Sequence, residues 1–497
     1  MTAYQKLCQR ERERATLASA GSLLGWDERT YLPPKGQAFR GDQLALIAKL
    51  CHEQLINKQT GDLLEQAEAE NLNDAERANV KGIRRLYDRA IKMPTDLVVA
   101  LAKATSAGQN AWEPAKHQND FASFKPYLET IIHLKREEAQ TVGYADHPYD
   151  ALVDEFEPGA RTSDLKQLFQ QLQEQLVPLI AAIASSGIQA PSEILERSYP
   201  VEKQRELSEQ IAEQLGFDRQ AGRLDVTVHP FCSGIGPGDV RITTRFNEHA
   251  FNEAFFGTLH ETGHGIYEQN LPAEHFGTAL GTACSLGIHE SQSRWWENFV
   301  GRSLPFWNAN WSKVQNTFQS TLKDVTLEQF YAAINDVRPS FIRIEADEAT
   351  YNLHIILRFE LEQALLTGDL KVQDLPATWN DRFKTMFGLT VPSDSMGCLQ
   401  DVHWSAGLIG YFPTYTLGNL YAAQFLVQAE KDMPELYQQI EKNQFRPMKN
   451  WLVEKIHRHG QRYSASELCL NITGKPLSHH ALINYLRSRF SPLYGLK

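Results

Sequence analysis

Periodicity limits the folds open to this chain more than any other feature of it. Between Arg223 and Phe246, RLDVTVHPF and DVRITTRF alternate apolar and polar residues, the period of half-buried strands, with the Gly-rich SGIGPGD between them able to turn the chain. That stretch predicts a sheet of two or three short strands. Elsewhere the apolar residues recur at three and four. From Met1 to about Ser185 this gives successive amphipathic helices, for instance Gly41 to Leu50 and Asp164 to Leu176, separated by turns such as Leu32-Pro33-Pro34-Lys35-Gly36. Helical periodicity returns after Phe246 and includes a candidate helix from about Ser340 to Leu366 with no internal Gly or Pro. The expected class is mainly α with a small β insert. No internal repeat, low-complexity linker or composition break divides the chain. One domain over 1–497 is expected, with a helical part over about 1–220, the β insert over about 223–246 and a second helical part over about 247–497.

At 497 residues and 42% hydrophobic, the chain has ample core material, which excludes a disordered protein. Its 61 acidic residues against 50 basic ones leave no basic field for phosphate backbones, so nucleic acid is not an expected partner. The opening MTAYQKLCQRERERATLASAG carries charges where a secretory leader needs an apolar run, and no later stretch has about 18 uninterrupted apolar residues. A cytoplasmic protein without membrane spans is expected. The six cysteines, Cys8, Cys51, Cys232, Cys284, Cys398 and Cys469, are scattered without a CxxC pair, which suggests neither disulfides nor a zinc module, and most read as buried thiols.

The chemistry concentrates in FNEAFFGTLHETGHGIYEQN, Phe251 to Asn270, a helical segment that ends near Leu271-Pro272. It contains His260-Glu261-Thr262-Gly263-His264, an HExxH motif. Residues i and i+4 share a helix face, so two imidazoles at this spacing can meet one metal ion, with Glu261 beside its open side. Two histidines in a buried helix can also be structural. Against that stand Gly263 and Gly265, because a glycine inside a helix costs about 1 kcal/mol and here implies that something approaches the backbone closely. A catalytic site needs a third protein ligand. The pattern HExxHxxGxxH is not met, since Tyr267 and Asn270 stand where its Gly and last His belong. Instead LGIHESQSRWWENF, Leu286 to Phe299, reads as a returning helix after the Ala283-Cys284-Ser285 turn, and Glu290 near its start can complete a His, His, Glu set with one place left for water. His289 is the poorer ligand candidate. Glu268 continues the i+4 row but lies about 6 Å of helix rise beyond His264, and it is assigned no role. The residues alone thus reach metal-assisted hydrolysis of a carbonyl compound.

Several motifs together resemble the carboxypeptidase Taq family of metallocarboxypeptidases. They are His229-Pro230-Phe231, the strand Asp239-Val240-Arg241-Ile242-Thr243, His260 to His264, His289-Glu290-Ser291-Gln292, Ile342-Arg343-Ile344-Glu345-Ala346-Asp347, and Gly397-Cys398-Leu399-Gln400-Asp401-Val402-His403-Trp404. Near the start, Leu24-Gly25-Trp26-Asp27 and the Leu32-Pro33 turn followed by Arg40 and Gln43 add to the likeness. The resemblance implies a large helical, groove-shaped gluzincin fold like those of neurolysin and angiotensin-converting enzyme, with a small β-sheet beside the active site. It also implies a homodimer that releases single amino acids from peptide C-termini with broad specificity. One Zn2+ per chain, or Co2+ in its place, would be held by His260, His264 and Glu290, and Glu261 would activate a metal-bound water.

The resemblance further points to His403 and Tyr411 as support for the tetrahedral intermediate, Tyr411 foremost. The same segment also reads as a core helix end, with Trp404, Leu408, Ile409, Tyr411 and Phe412 as packing residues. Arg343 is the candidate for the substrate's free α-carboxylate, since a planar guanidinium can make two parallel hydrogen bonds to it. Its plainer reading is an i,i+4 ion pair with Asp347 on the long helix. His229 and Arg241 would line the groove where an extended peptide adds alongside the sheet edge. An endo- or dipeptidyl-peptidase on the same fold and a non-catalytic helical peptide-binding scaffold are the competing readings. The intact Glu261 argues against the scaffold, and the absence of a Gly-x-Met-Glu-Asn motif argues against an aminopeptidase.

Overall fold

The computed structural model describes residues 1–496. It is built mainly of helices with one three-stranded sheet. Its residues gather into two compact units, each drawn from three separated stretches of chain. One comprises Met1–Ala90, Ala190–Asn335 and Tyr421–Leu477, and the other Ile91–Gln189, Asp336–Leu420 and Ser478–Lys497. The helices read at Gly41 to Leu50 and Asp164 to Leu176 lie inside longer ones, Gln37–Leu55 and Thr162–Ser185. Among the described residues no helix is long and apolar enough to cross a membrane. All six cysteines are free; Cys284, Cys398 and Cys469 are buried and the other three half-buried.

In the first unit, β1 (Gly222–Val226) runs parallel to β3 (Asp239–Thr244), and β2 (Cys232–Gly236) runs antiparallel to it, in the order β1-β3-β2. The Gly-rich segment expected to be a turn is therefore mostly β2, and the turn shrinks to Pro237-Gly238. The ladder to β3 supplies the hydrogen bonds that glycine-rich backbone lacks by itself, with an irregularity between Gly234 and Gly236.

The helix Phe251–Gln269 packs on this sheet. Its first half is an anchor: Phe251 stacks on Phe255 one turn later at 5.3 Å and meets Tyr199, Phe318 and Phe330, while Phe255 meets Trp307. All of these rings are buried, and each fully buried side chain contributes about 1.5–3 kcal/mol. Its second half carries the histidines, and there the two glycines show their purpose. A Cβ on Gly265 would stand 2.7 Å from Phe217 and 3.0 Å from Ile242 of β3, and one on Gly263 would stand 2.4 Å from the Gln292 carbonyl oxygen. The helix facing Gly263 is Leu286–Arg294, which ends earlier than the Phe299 expected and passes into a π-helical stretch, Trp295–Val300.

The core of the second unit is the helix Tyr351–Thr367, buried along most of its length. Tyr149 and Phe169 pack edge-on against its Phe359, at 5.5 and 5.1 Å. The expected helix from about Ser340 thus begins some ten residues late, after a single 3-10 turn at Arg343–Glu345. Asp347 is the physical cause. Its carboxylate accepts from the backbone N–H groups of Ala349 and Thr350 and from the Thr350 hydroxyl, the arrangement of an aspartate that starts a helix rather than continues one.

Candidate metal centre

The HExxH spacing and the facing helix bring His260, His264 and Glu290 together, with one ligand atom from each lying within 4.8 Å of the others. Glu290 Oε2 is 3.5 Å from His260 Nε2 and 3.4 Å from His264 Nε2. Two imidazole nitrogens and a carboxylate oxygen on one side of a small space are the donor set a divalent ion of the zinc type takes. The charge states agree with it. Burial, with His289 beside it, pushes His264 down to about 3, leaving the ring neutral at pH 7. Burial would raise Glu290, but the Arg294 guanidinium on its other oxygen (Nε to Oε1, 2.7 Å) and the two histidines hold it well below the usual carboxylate range. These residues fit a metal ion. Glu261 is buried beside them; burial raises its carboxyl to about 7, and its Oε2 has no hydrogen-bond partner among the described residues.

The nitrogens of the two histidines turned away from this space are also engaged. His260 Nδ1 lies 2.9 Å from Glu297 Oε2, which further accepts from Arg294 Nη1 at 3.2 Å. His264 Nδ1 lies 2.6 Å from His289 Nδ1, and His289 Nε2 lies 2.8 Å from Glu268 Oε1. Sequence reasoning overlooked Glu297. It stands two helical turns after Glu290, a signal available in principle, but the π-helical stretch that carries it cannot be read from the pattern.

The second unit gathers Arg343, His403 and Tyr411. Arg343 is 6% exposed, which removes it from the helix surface where a pair with Asp347 was the plainer reading. Its Nε donates to Asp401 Oδ1 at 2.8 Å, its Nη1 donates to the Tyr351 hydroxyl at 3.0 Å, and its plane sits 5.2 Å from the Tyr415 ring centre. Asp401 takes a second guanidinium on its other oxygen, Arg358 Nε at 2.6 Å. His403 Nε2 lies 3.2 Å from the Tyr415 hydroxyl, and the His403 and Tyr411 rings are 5.5 Å apart. Burial and the nearby Arg343 lower His403 to about 3, so it is neutral.

His229 and Arg241, expected to line a peptide groove, lie beside and within the three-stranded sheet. His229 is exposed in the segment between β1 and β2. Arg241 sits on β3, the central strand rather than an edge, where Asp239 takes its guanidinium in two hydrogen bonds of 2.8 and 2.9 Å and the Trp26 ring lies 4.2 Å below it.

Glu362, absent from the sequence reading, anchors the segment bearing His403 and Tyr411. It accepts from Tyr149 Oη at 2.6 Å, Trp404 Nε1 at 2.9 Å and the Gly410 backbone N–H at 3.1 Å. Burial nonetheless raises it from 4.5 to about 7 against the pull of those donors. The folded carboxyl therefore keeps its proton over a range where an unfolded one has lost it. Its stabilisation is complete below pH 4.5 and falls as pH rises to about 7, by about 3 kcal/mol. Glu362→Gln cannot titrate, so its melting temperature is expected to gain on that of the native chain between pH 4.5 and 7.5. Parallel melting curves across that range would refute the assignment.

Comparison with known proteins gives a consistent result. Residues 6–490 match the carboxypeptidase Taq (M32) metallopeptidase family. The chain is 45% identical to thermostable carboxypeptidase 1 of Thermus thermophilus over 99% of each chain, and 40% identical to carboxypeptidase 1 of Bacillus subtilis over 96% of each. Its fold superposes on the crystal structure of the M32 carboxypeptidase from Deinococcus radiodurans R1 with a TM-score of 0.97 at 38% identity, covering 99% of this chain and 100% of that one.

Proposed function

The chain belongs to the carboxypeptidase Taq (M32) metallopeptidase family and is a metallocarboxypeptidase, and on that premise we propose that it is zinc-dependent and releases single amino acids from peptide C-termini with broad specificity. The observation that carries the metal assignment is the convergence of His260, His264 and Glu290 beside the buried, unpartnered carboxylate oxygen of Glu261. Cobalt fits the same donors. When bound, the ion supplies Lewis acidity at the scissile carbonyl.

The chain's own residues do the rest. Glu261 accepts a proton from the attacking water and returns it to the leaving amine. The Tyr411 hydroxyl, with His403 beside it, donates to the oxygen that gains negative charge in the tetrahedral intermediate. Arg343 holds the substrate's α-carboxylate; Asp401 and Tyr351 fix the plane of the guanidinium for that purpose. Arg241 and His229 contact the peptide chain further from the scissile bond. Peptide substrates, a homodimer and a cytoplasmic location complete the proposal and rest on the family resemblance and the lack of a membrane-spanning helix among the described residues. The match over 6–490, together with units whose segments alternate along the chain, supports a single catalytic domain.

The test is mass spectrometry of a free peptide and its C-terminally amidated twin, with and without a chelator and with zinc or cobalt restored. Stepwise loss of single residues from the free peptide alone, stopped by chelator and restored by metal, is expected. Internal cuts, release of dipeptides or equal cleavage of the amidated twin would instead establish an endo- or dipeptidyl-peptidase.

A further inference from the structure

We infer that His289 and Glu268 form a two-member relay that positions His264 for the metal, so that the residue just before the third ligand sets metal affinity without touching the ion. The inference rests on the proposed metal site. Its physical basis is proton bookkeeping along one carboxylate and two rings in contact.

Glu268, four residues after His264 on the same helix face, presents a carboxylate, which only accepts hydrogen bonds. At 2.8 Å from it, His289 Nε2 must carry a proton. A neutral imidazole has one N–H, so His289 Nδ1 is then a bare acceptor. The 2.6 Å contact between His289 Nδ1 and His264 Nδ1 needs one proton, and it must come from His264. That leaves the lone pair of His264 on Nε2, the nitrogen facing Glu290, which is the tautomer a metal requires. Were Glu268 not there to fix the first proton, His289 could donate from Nδ1 instead, and His264 would then carry its proton on the ligand nitrogen. The rings are also packed together: those of His264 and His289 lie 4.5 Å apart and 29° from parallel, and that of Tyr267 lies 5.4 Å from His289.

The two ligand histidines are therefore held by different means. His260 leans on Glu297, a carboxylate braced by Arg294. His264 leans on a neutral ring whose orientation depends on Glu268, a residue whose side chain is 23% exposed. Outer partners of metal-bound histidines change affinity by about 10–100-fold when removed. His289 and Glu268 act as positioning residues in this sense.

Zinc affinity of the purified full-length protein, measured by competition with a chromophoric chelator, tests the relay, with Co2+ absorption as a second readout of ligand geometry. His289→Ala and Glu268→Ala are each expected to bind zinc about 10–100-fold more weakly. Their double variant should be no weaker than His289→Ala alone, because the two act in series. Glu268→Gln, whose amide oxygen can still accept from His289 Nε2, should recover most of the affinity. Unchanged affinity in the alanine variants, or losses that add in the double variant, would overturn the relay. Wild-type protein binding one zinc and Glu290→Ala binding none shows that the site itself stands; failure of the wild type to bind would remove the proposed site and the relay together. Circular dichroism and metal-free melting temperatures establish folding, and if His289→Ala does not fold, Glu268→Ala and Glu268→Gln carry the test by themselves.

Discussion

Glu261→Gln is expected to lose about 10²–10⁴-fold in kcat while keeping its metal and its fold. The amide has nearly the size and shape of the carboxylate, so neither the helix Phe251–Gln269 nor the positions of His260 and His264 need change. What disappears is the ability to take a proton from water and hand it on. The substitution also relieves the burial of an ionisable group, so the variant should melt no lower than the native chain. Zinc stoichiometry, melting temperature and single-turnover rates on one peptide measure the three quantities. A variant that keeps its metal and hydrolyses peptide at the native rate would show that Glu261 is not the proton carrier.

Gly263→Ala should do the opposite, damaging the site through the fold. An added Cβ would lie 2.4 Å from the Gln292 carbonyl oxygen and 2.6 Å from Ser293 Cα, and backbone atoms of a packed helix cannot swing aside as the end of a side chain can. The helix Leu286–Arg294 must move away, carrying Glu290 and His289 with it. A loss of about 1–3 kcal/mol in stability and a weaker metal site are expected together. Gly257→Ala, six residues earlier in the same helix, is the control: its Cβ would meet only Thr244 Oγ1 at 3.9 Å, and the change should stabilise by up to about 1 kcal/mol. Urea unfolding and chelator competition on both variants decide the matter. Equal behaviour of the two alanines would mean that the helix pair is not held by that close approach.

The two glycines illustrate how much of the site could be read before any coordinates. An i, i+4 pair of histidines is a local fact of helix geometry, and the structure brings those two side chains and Glu290 into one cluster. Glycines where a helix ought to avoid them signalled a close neighbour, and the neighbours are Gln292 and Ser293 for one and Phe217 and Ile242 for the other. The limits of the HExxH helix were equally local, since Pro272 forbids continuation past Leu271. The period-two stretch located the sheet, but pairing turned most of its expected loop into β2.

What pattern could not supply was the pairing of groups distant along the chain. Arg343 seemed free to pair with Asp347 one turn away, yet its partner is Asp401, 58 residues on, and Asp347 is occupied in starting the next helix. The reason is energetic: in an exposed helix an i,i+4 pair contributes about 0.2–0.5 kcal/mol, too little to outweigh burial of the segment and its hydrogen bonds. Glu362 and Glu297 were invisible for the same reason, and Glu268, seen on the i+4 row, was given no role, because a carboxylate acquires a role only from the donors that the fold sets around it. Helix content, the strand region, the shared face of His260 and His264 and the close helix approach follow from local spacing and sterics, which the order of residues carries directly. The proton states, the outer partners of His260 and His264 and the setting of Arg343 follow from burial and long-range contact, which exist only once the chain has closed on itself.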